Sequence, residues 1–132
     1  MAINCIFCKI IRKEIESYII YEDKNFLGIL DRNPINPGHI LLMPKNHKDY
    51  IFSINDDSYI KLLLKAKELA VFMKKKINCE RIGLAIEGFG VPHIHLHLVP
   101  VNNGNELNPN NAKIATAEEL KVIKEQVYGI HT

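Results

Sequence analysis

The chain has 132 residues and a mass of 15.1 kDa, with 47% hydrophobic and 24% charged residues, the size and balance of one globular domain spanning residues 1–132. A formal charge of +2 and a pI near 8.4 are too mild to argue for a nucleic-acid or membrane partner. No apolar run reaches about 18 residues, and Lys9, Arg12 and Lys13 follow the start too closely for a signal-peptide core, so a cytoplasmic protein is expected.

In chain order, Ile6 to Arg12 carries apolar residues at helical spacing and reads as a short helix. Tyr18–Tyr21 and Phe26–Leu30 are β-branched and aromatic, and Glu22-Asp23-Lys24-Asn25 between them predicts a hairpin turn. Asp31 to Gly38 is a loop set by two prolines and a glycine, and His39–Met43 is a third strand stopped by Pro44. Tyr59, Leu62, Leu63, Ala66, Leu69, Ala70, Met73 and Ile77 recur at steps of three and four, the mark of a long amphipathic helix. Asn55 is its N-cap, with Asp56 and Asp57 at the positive end of the dipole and Lys74–Lys76 at the negative end. Arg81–Glu87 and Val91–Val101 read as strands, with Gly88-Phe89-Gly90 a tight loop between them. Thr116-Ala117-Glu118-Glu119 is a capping box for a last helix that buries Leu120, Ile123 and Val127 and stops at Gly129. Hairpin strands with segregated helices predict an α+β domain.

The chemistry concentrates in Pro92-His93-Ile94-His95-Leu96-His97-Leu98. Side chains alternate along a strand, so His93, His95 and His97 share one face while Ile94, Leu96 and Leu98 pack on the other. A single metal ion cannot collect all three rings, because His93 and His97 would lie about 13 Å apart on a straight strand. Three rings doing three jobs beside a phosphate fit better. Neutral imidazole is a nucleophile, and a backbone carbonyl on Nδ1 of His95 would leave its Nε2 free to attack.

The segment His93–Val99 resembles the signature of the histidine triad (HIT) family. Cys5-Ile6-Phe7-Cys8-Lys9-Ile10-Ile11, Leu30-Asp31 and Pro37–His47 resemble two further stretches of that family, in the same order. The resemblance covers roughly residues 5 to 100. It implies a HIT-like fold: a five-stranded antiparallel sheet with a long helix and short terminal helices. It also implies a homodimer and a purine nucleotide substrate, either a phosphoramidate or a related nucleotide, cleaved at the α-phosphorus. His95 would become nucleotidylated and water would release the monophosphate. His97 and His39 would contact the phosphate and could deliver a proton to the leaving group. Asp31 would hold the ribose hydroxyls, as a carboxylate can accept both; capping its own loop is the plainer reading of the same residue. Ile6, Phe7, Ile10, Ile29 and Leu30 would form the slot for the base.

The chain departs from the family pattern at two places. Ile86 and Gly90 stand where family hydrolases often carry Asn and Ser or Thr, and the loop is shorter. Backbone N–H groups of Gly90 and Val91 would then serve the phosphate, since glycine permits close approach. Cleavage of dinucleoside polyphosphates, or a zinc-stabilised nucleotide-binding module with little catalysis, are the alternatives.

Cys5-x-x-Cys8 alone is a weak signal and suits packed thiols. The resemblance implies a structural Zn2+ on Cys5, Cys8, His47 and His93, whereas Cys79 reads as an ordinary packed thiol. Leu64 and Val71 form a second apolar stripe on the long helix, for which the resemblance implies a second copy as the cover. Burial under the last helix is the other reading. Residues after Pro100 match the family less well and their role stays open.

Overall fold

The computed structural model describes residues 4–131, and its centre is a sheet whose strands are apolar on both faces. The elements are α1 (Ile6–Ile11), β1 (Ile19–Glu22), β2 (Phe26–Leu30), β3 (Ile40–Pro44), α2 (Asp56–Lys76), β4 (Arg81–Ala85), β5 (Leu96–Val101) and α3 (Ala117–Val122). All strand pairs are antiparallel, in the order β1-β2-β3-β5-β4. This is the expected α+β architecture.

Alternation divides the core into two layers. Phe26, Leu30, Ile40, Leu42, Leu96 and Leu98 face α2 and meet Leu62, Ala66, Leu69 and Met73. Leu27, Ile29, Leu41 and Met43 face the other way and meet Phe7, Cys8, Ile10 and Ile11 of α1. The first layer is roofed by a 21-residue helix; the second has only a six-residue one. The short roof leaves part of the second face open, and that opening holds the site. Gly28 lets α2 approach: a Cβ there would meet Leu69 at 3.3 Å.

The helix ends follow the residues that cap them. The Asn55 side chain accepts from the Ser58 N–H at 2.8 Å. Thr116 and Glu119 close both bonds of the capping box. Leu64 and Val71 remain about half exposed, so the last helix does not cover them; Leu84 on the edge strand β4 is likewise exposed.

Three expectations need correction. β3 begins at Ile40 and includes Pro44, which pairs with Phe26. β5 begins at Leu96, not Val91. The Leu42–Leu96 register would bring Ile94 opposite Pro44, which has no N–H to give, so the ladder ends there. Ile94 donates instead to the carbonyl of Lys48 at 2.7 Å, and His93 to that of Val91 at 2.8 Å. The burial of Ile94, Leu96 and Leu98 against α2 still alternates as expected. Finally, α3 runs into a π turn at Ile123–Val127. Its i→i+5 geometry rotates the chain, so Leu120, Lys124 and Tyr128 are buried and Val127 is only partly covered. Gly129 ends the turn at φ +73.

Candidate active site

The register places one row of residues across four strands: Ile29, Leu41, His97 and Ala85 are neighbours in turn. All four line a cavity of about 510 Å³ on the α1 side. The same cavity is lined by Ile6, Phe7, Ile10, Asp31, His39, Gly90, Val91 and His95. Except for Leu30, the residues expected to serve catalysis or the nucleotide therefore meet at one place. Leu30 borders the cavity, but its side chain packs on the α2 side, so the apolar slot loses that member.

Hydrogen bonds fix the imidazole tautomers. His95 Nδ1 lies 2.7 Å from the His93 carbonyl, so Nδ1 carries the proton and donates. Nε2 then keeps its lone pair. The ring is nearly buried, and Phe7 and His97 pack on it at centroid distances of 4.9 and 5.1 Å.

The Ile35 N–H donates to His39 Nδ1 at 3.0 Å, which forces the His39 proton onto Nε2. That Nε2 faces His97 Nδ1 at 3.0 Å and Asp31 Oδ2 at 3.5 Å. With Nδ1 accepting, His97 carries its proton on Nε2. Burial holds both rings neutral: the His39 pKa is lowered to about 3 and that of His97 to about 4, with each ring's histidine neighbour adding to the effect. His39 is 2% exposed and both its nitrogens are engaged, one by the Ile35 N–H and the other by His97, so it stands behind His97. Sequence reading missed Ile35, whose contribution is a backbone N–H and carries no side-chain signal.

Asp31 does two things. Its Oδ1 accepts from the Asn33 N–H at 2.8 Å, capping the loop, while Oδ2 remains on the His39 side. Burial raises its pKa. Ile86 packs against the α2 core, so at that position no side chain serves the cavity; Gly90 and Val91 line it.

The second cluster is Cys5, Cys8, His47 and His93. Cys5 caps α1, its Sγ accepting from the Cys8 N–H at 3.4 Å. His93 Nε2 donates to the Pro44 carbonyl at 2.8 Å, which turns a bare Nδ1 toward the sulfurs. Nδ1 lies 3.4 Å from Cys5 Sγ, 3.5 Å from Cys8 Sγ and 3.2 Å from His47 Nδ1, and His47 Nδ1 lies 3.3 Å from Cys8 Sγ. A tetrahedral zinc ion separates such N–N and N–S pairs by about 3.3–3.6 Å. The donor set, the spacing and the His93 tautomer all suit a closed metal site. Asp31, His39 and His97 also converge, but the Ile35 N–H keeps a proton on His39 Nε2 and denies a metal that lone pair. Both nitrogens of His93 are thus committed away from the cavity, and the three alternating histidines divide into a member of the Cys/His cluster, a ring with a bare Nε2, and a ring whose Nε2 carries a proton.

The HIT domain model matches residues 12–104. The adenosine 5'-monophosphoramidase of Candida albicans is 34% identical over 109 residues, covering 74% of this chain and 70% of that protein. A Hit-like protein of Bartonella henselae superposes with a TM-score of 0.84 at 28% identity, covering 98% of this chain and 97% of that one. A zinc-bound histidine triad family protein of Mycobacterium smegmatis superposes with a TM-score of 0.77 at 29% identity, covering 96% and 94%.

Proposed function

The chain belongs to the HIT family, and on that premise we propose that it hydrolyses purine nucleoside phosphoramidates at the α-phosphorus through a nucleotidyl-His95 intermediate. The observation that carries this reading is the His95 Nδ1–His93 carbonyl bond, which leaves Nε2 bare on a ring that packs 5.1 Å, centroid to centroid, from that of His97. The base lies in the slot of Ile6, Phe7, Ile10 and Ile29, and Asp31 accepts from the ribose hydroxyls.

His95 Nε2 forms a bond to phosphorus. The P–N bond to the leaving group breaks, its electron pair goes to that nitrogen, and the nitrogen takes a proton from solvent at the cavity mouth. The resulting imidazolium keeps its Nδ1–H on the His93 carbonyl, which stabilises the charge. Water then attacks phosphorus and loses a proton to solvent. The P–Nε2 bond breaks, its pair returns to His95, and nucleoside monophosphate leaves. The His97 Nε2–H donates to a phosphate oxygen throughout. His97 does not supply the leaving group's proton in this scheme, because His39 cannot refill it: the Ile35 N–H occupies the far nitrogen of His39. His39 is therefore a positioning residue.

Zinc on Cys5, Cys8, His47 and His93 is the cofactor of this reading, a structural cross-link that pins α1 to the sheet and to the loop before β5. A second copy covers the exposed Leu64, Val71 and Leu84 face, giving a homodimer. The direct test is release of AMP from adenosine 5'-phosphoramidate by purified protein. Release that His95→Ala abolishes is expected; wild-type protein that binds AMP without turning over the amide would contradict the reading.

A further inference from the structure

The cavity has two flanks, and they differ in chemistry. On the β2 side stand the apolar slot and Asp31. On the β4 side stand Ala85, Glu87, Phe89, Val99, Leu107 and Pro109. Leu107 and Pro109 lie beyond the stretch matched by the family model, which ends at residue 104.

That segment is fastened in place. A Cβ on Gly83 would meet Leu107 Cδ2 at 3.1 Å, so glycine in β4 is what lets Leu107 lie down on the sheet. Glu106 accepts from the Asn102 N–H at 2.7 Å and from Asn36 Nδ2 at 2.6 Å, and Asn36 also donates to the Pro100 carbonyl at 2.7 Å. Further on, the Lys113 N–H donates to the Pro34 carbonyl and the Ala115 N–H to the Arg32 carbonyl, at 3.1 and 2.9 Å. Residues 102–115 therefore run as a held wall from β4 across to the Asp31 loop.

The histidines stand between the flanks, because His97 is in β5, with β3 on one side and β4 on the other. A nucleoside on the β2 side directs the group on the far side of phosphorus toward β4. Among the described residues that line this flank, Glu87 is the one charged side chain, and the rest are apolar or glycine. Among the described residues, the only guanidinium bordering the cavity, that of Arg32, adjoins Asp31 on the opposite flank and donates to the Glu16 carbonyl.

We infer that Leu107, over Gly83, builds an apolar leaving-group subsite that selects uncharged or cationic apolar amines and rejects anionic leaving groups. This rests on the phosphoramidate reading and narrows it. A polyphosphate tail would meet a carboxylate and hydrocarbon, with no cation to replace its water. An aryl or alkyl amine would cover the partly exposed Leu107 and the 93%-exposed Phe89 at the rim.

The test uses three adenosine 5'-phosphoramidates, formed with ammonia, phenethylamine and β-alanine, together with diadenosine tetraphosphate. The phenethylamide should exceed the β-alanine amide in kcat/KM by about tenfold or more, and the tetraphosphate should be poorer still. Leu107→Ala should reduce the phenethylamide selectively, and Glu87→Gln should narrow the gap to the β-alanine amide. Equal kcat/KM for the two substituted amides, or loss from Leu107→Ala that is equal across all substrates while Glu87→Gln changes nothing, would overturn the subsite. No release from any amide, the ammonia amide included, would overturn the phosphoramidate reading and the subsite with it. Release at equal rates from all would overturn the subsite alone.

Discussion

Nδ1 of His95 lies 2.7 Å from the carbonyl oxygen of His93, two residues earlier in the same chain. The bond joins the two clusters of the molecule. His93 turns its ring toward Cys5 and Cys8 and its carbonyl toward His95, so the Cys/His cluster and the imidazole of His95 meet at one residue.

The first prediction concerns the metal. Protein purified without chelators should carry about one zinc per chain. Cys5→Ser with Cys8→Ser should lose it and melt about 10 °C lower, since metal binding is linked to folding. Metal-free wild-type protein, or a double variant with unchanged melting, would argue against the site.

A second prediction follows from the neutral histidines. His39 and His97 titrate near 6.5 when unfolded and at about 3 and about 4 when folded. Between those limits the unfolded chain binds more protons than the folded one. Stability from these rings is therefore complete above about pH 6.5 and is lost as pH falls toward 4. Asp31, raised by burial, works in the opposite sense and offsets part of the loss. Melting temperatures at pH 7 and pH 4.5 should differ more for wild type than for His97→Gln. Protonation of the metal ligands affects both proteins and cancels in the comparison. Identical pH slopes would contradict the assigned burial of a neutral His97.

The third prediction concerns assembly. Light scattering should give a mass near 30 kDa, twice 15.1 kDa, at micromolar concentration. Leu64→Glu places a charge on the exposed stripe and should shift the protein toward monomer while leaving its fold intact. A stable 15 kDa wild-type species would refute the dimer.

Much of this was legible in the chain. The stripe Leu62–Ala66–Leu69–Met73 and the Asn55 cap locate α2 because helical periodicity is local. His93, His95 and His97 were visible as a row, and Cys5-x-x-Cys8 as a candidate metal pair. What stayed hidden was set by partners distant in sequence. The start of β5 depends on Pro44 opposite Ile94, a matter of register. His39's place behind His97 depends on a backbone N–H at Ile35. Tyr128 was missed because a π turn shifts the helical phase; its hydroxyl donates to the Gly38 carbonyl at 2.6 Å and is buried. Leu107 gave no periodic signal at all, since a loop wall has none.

The central claim is that His95 Nε2 becomes covalently nucleotidylated. Wild-type protein mixed with adenosine 5'-phosphoramidate, quenched in base during the first turnover and digested, should show one added AMP moiety on the peptide bearing His95. His95→Ala should show none, with AMP release reduced on the order of 10³-fold or more. AMP released at wild-type rates by His95→Ala, or an adduct found on His97, would contradict the account.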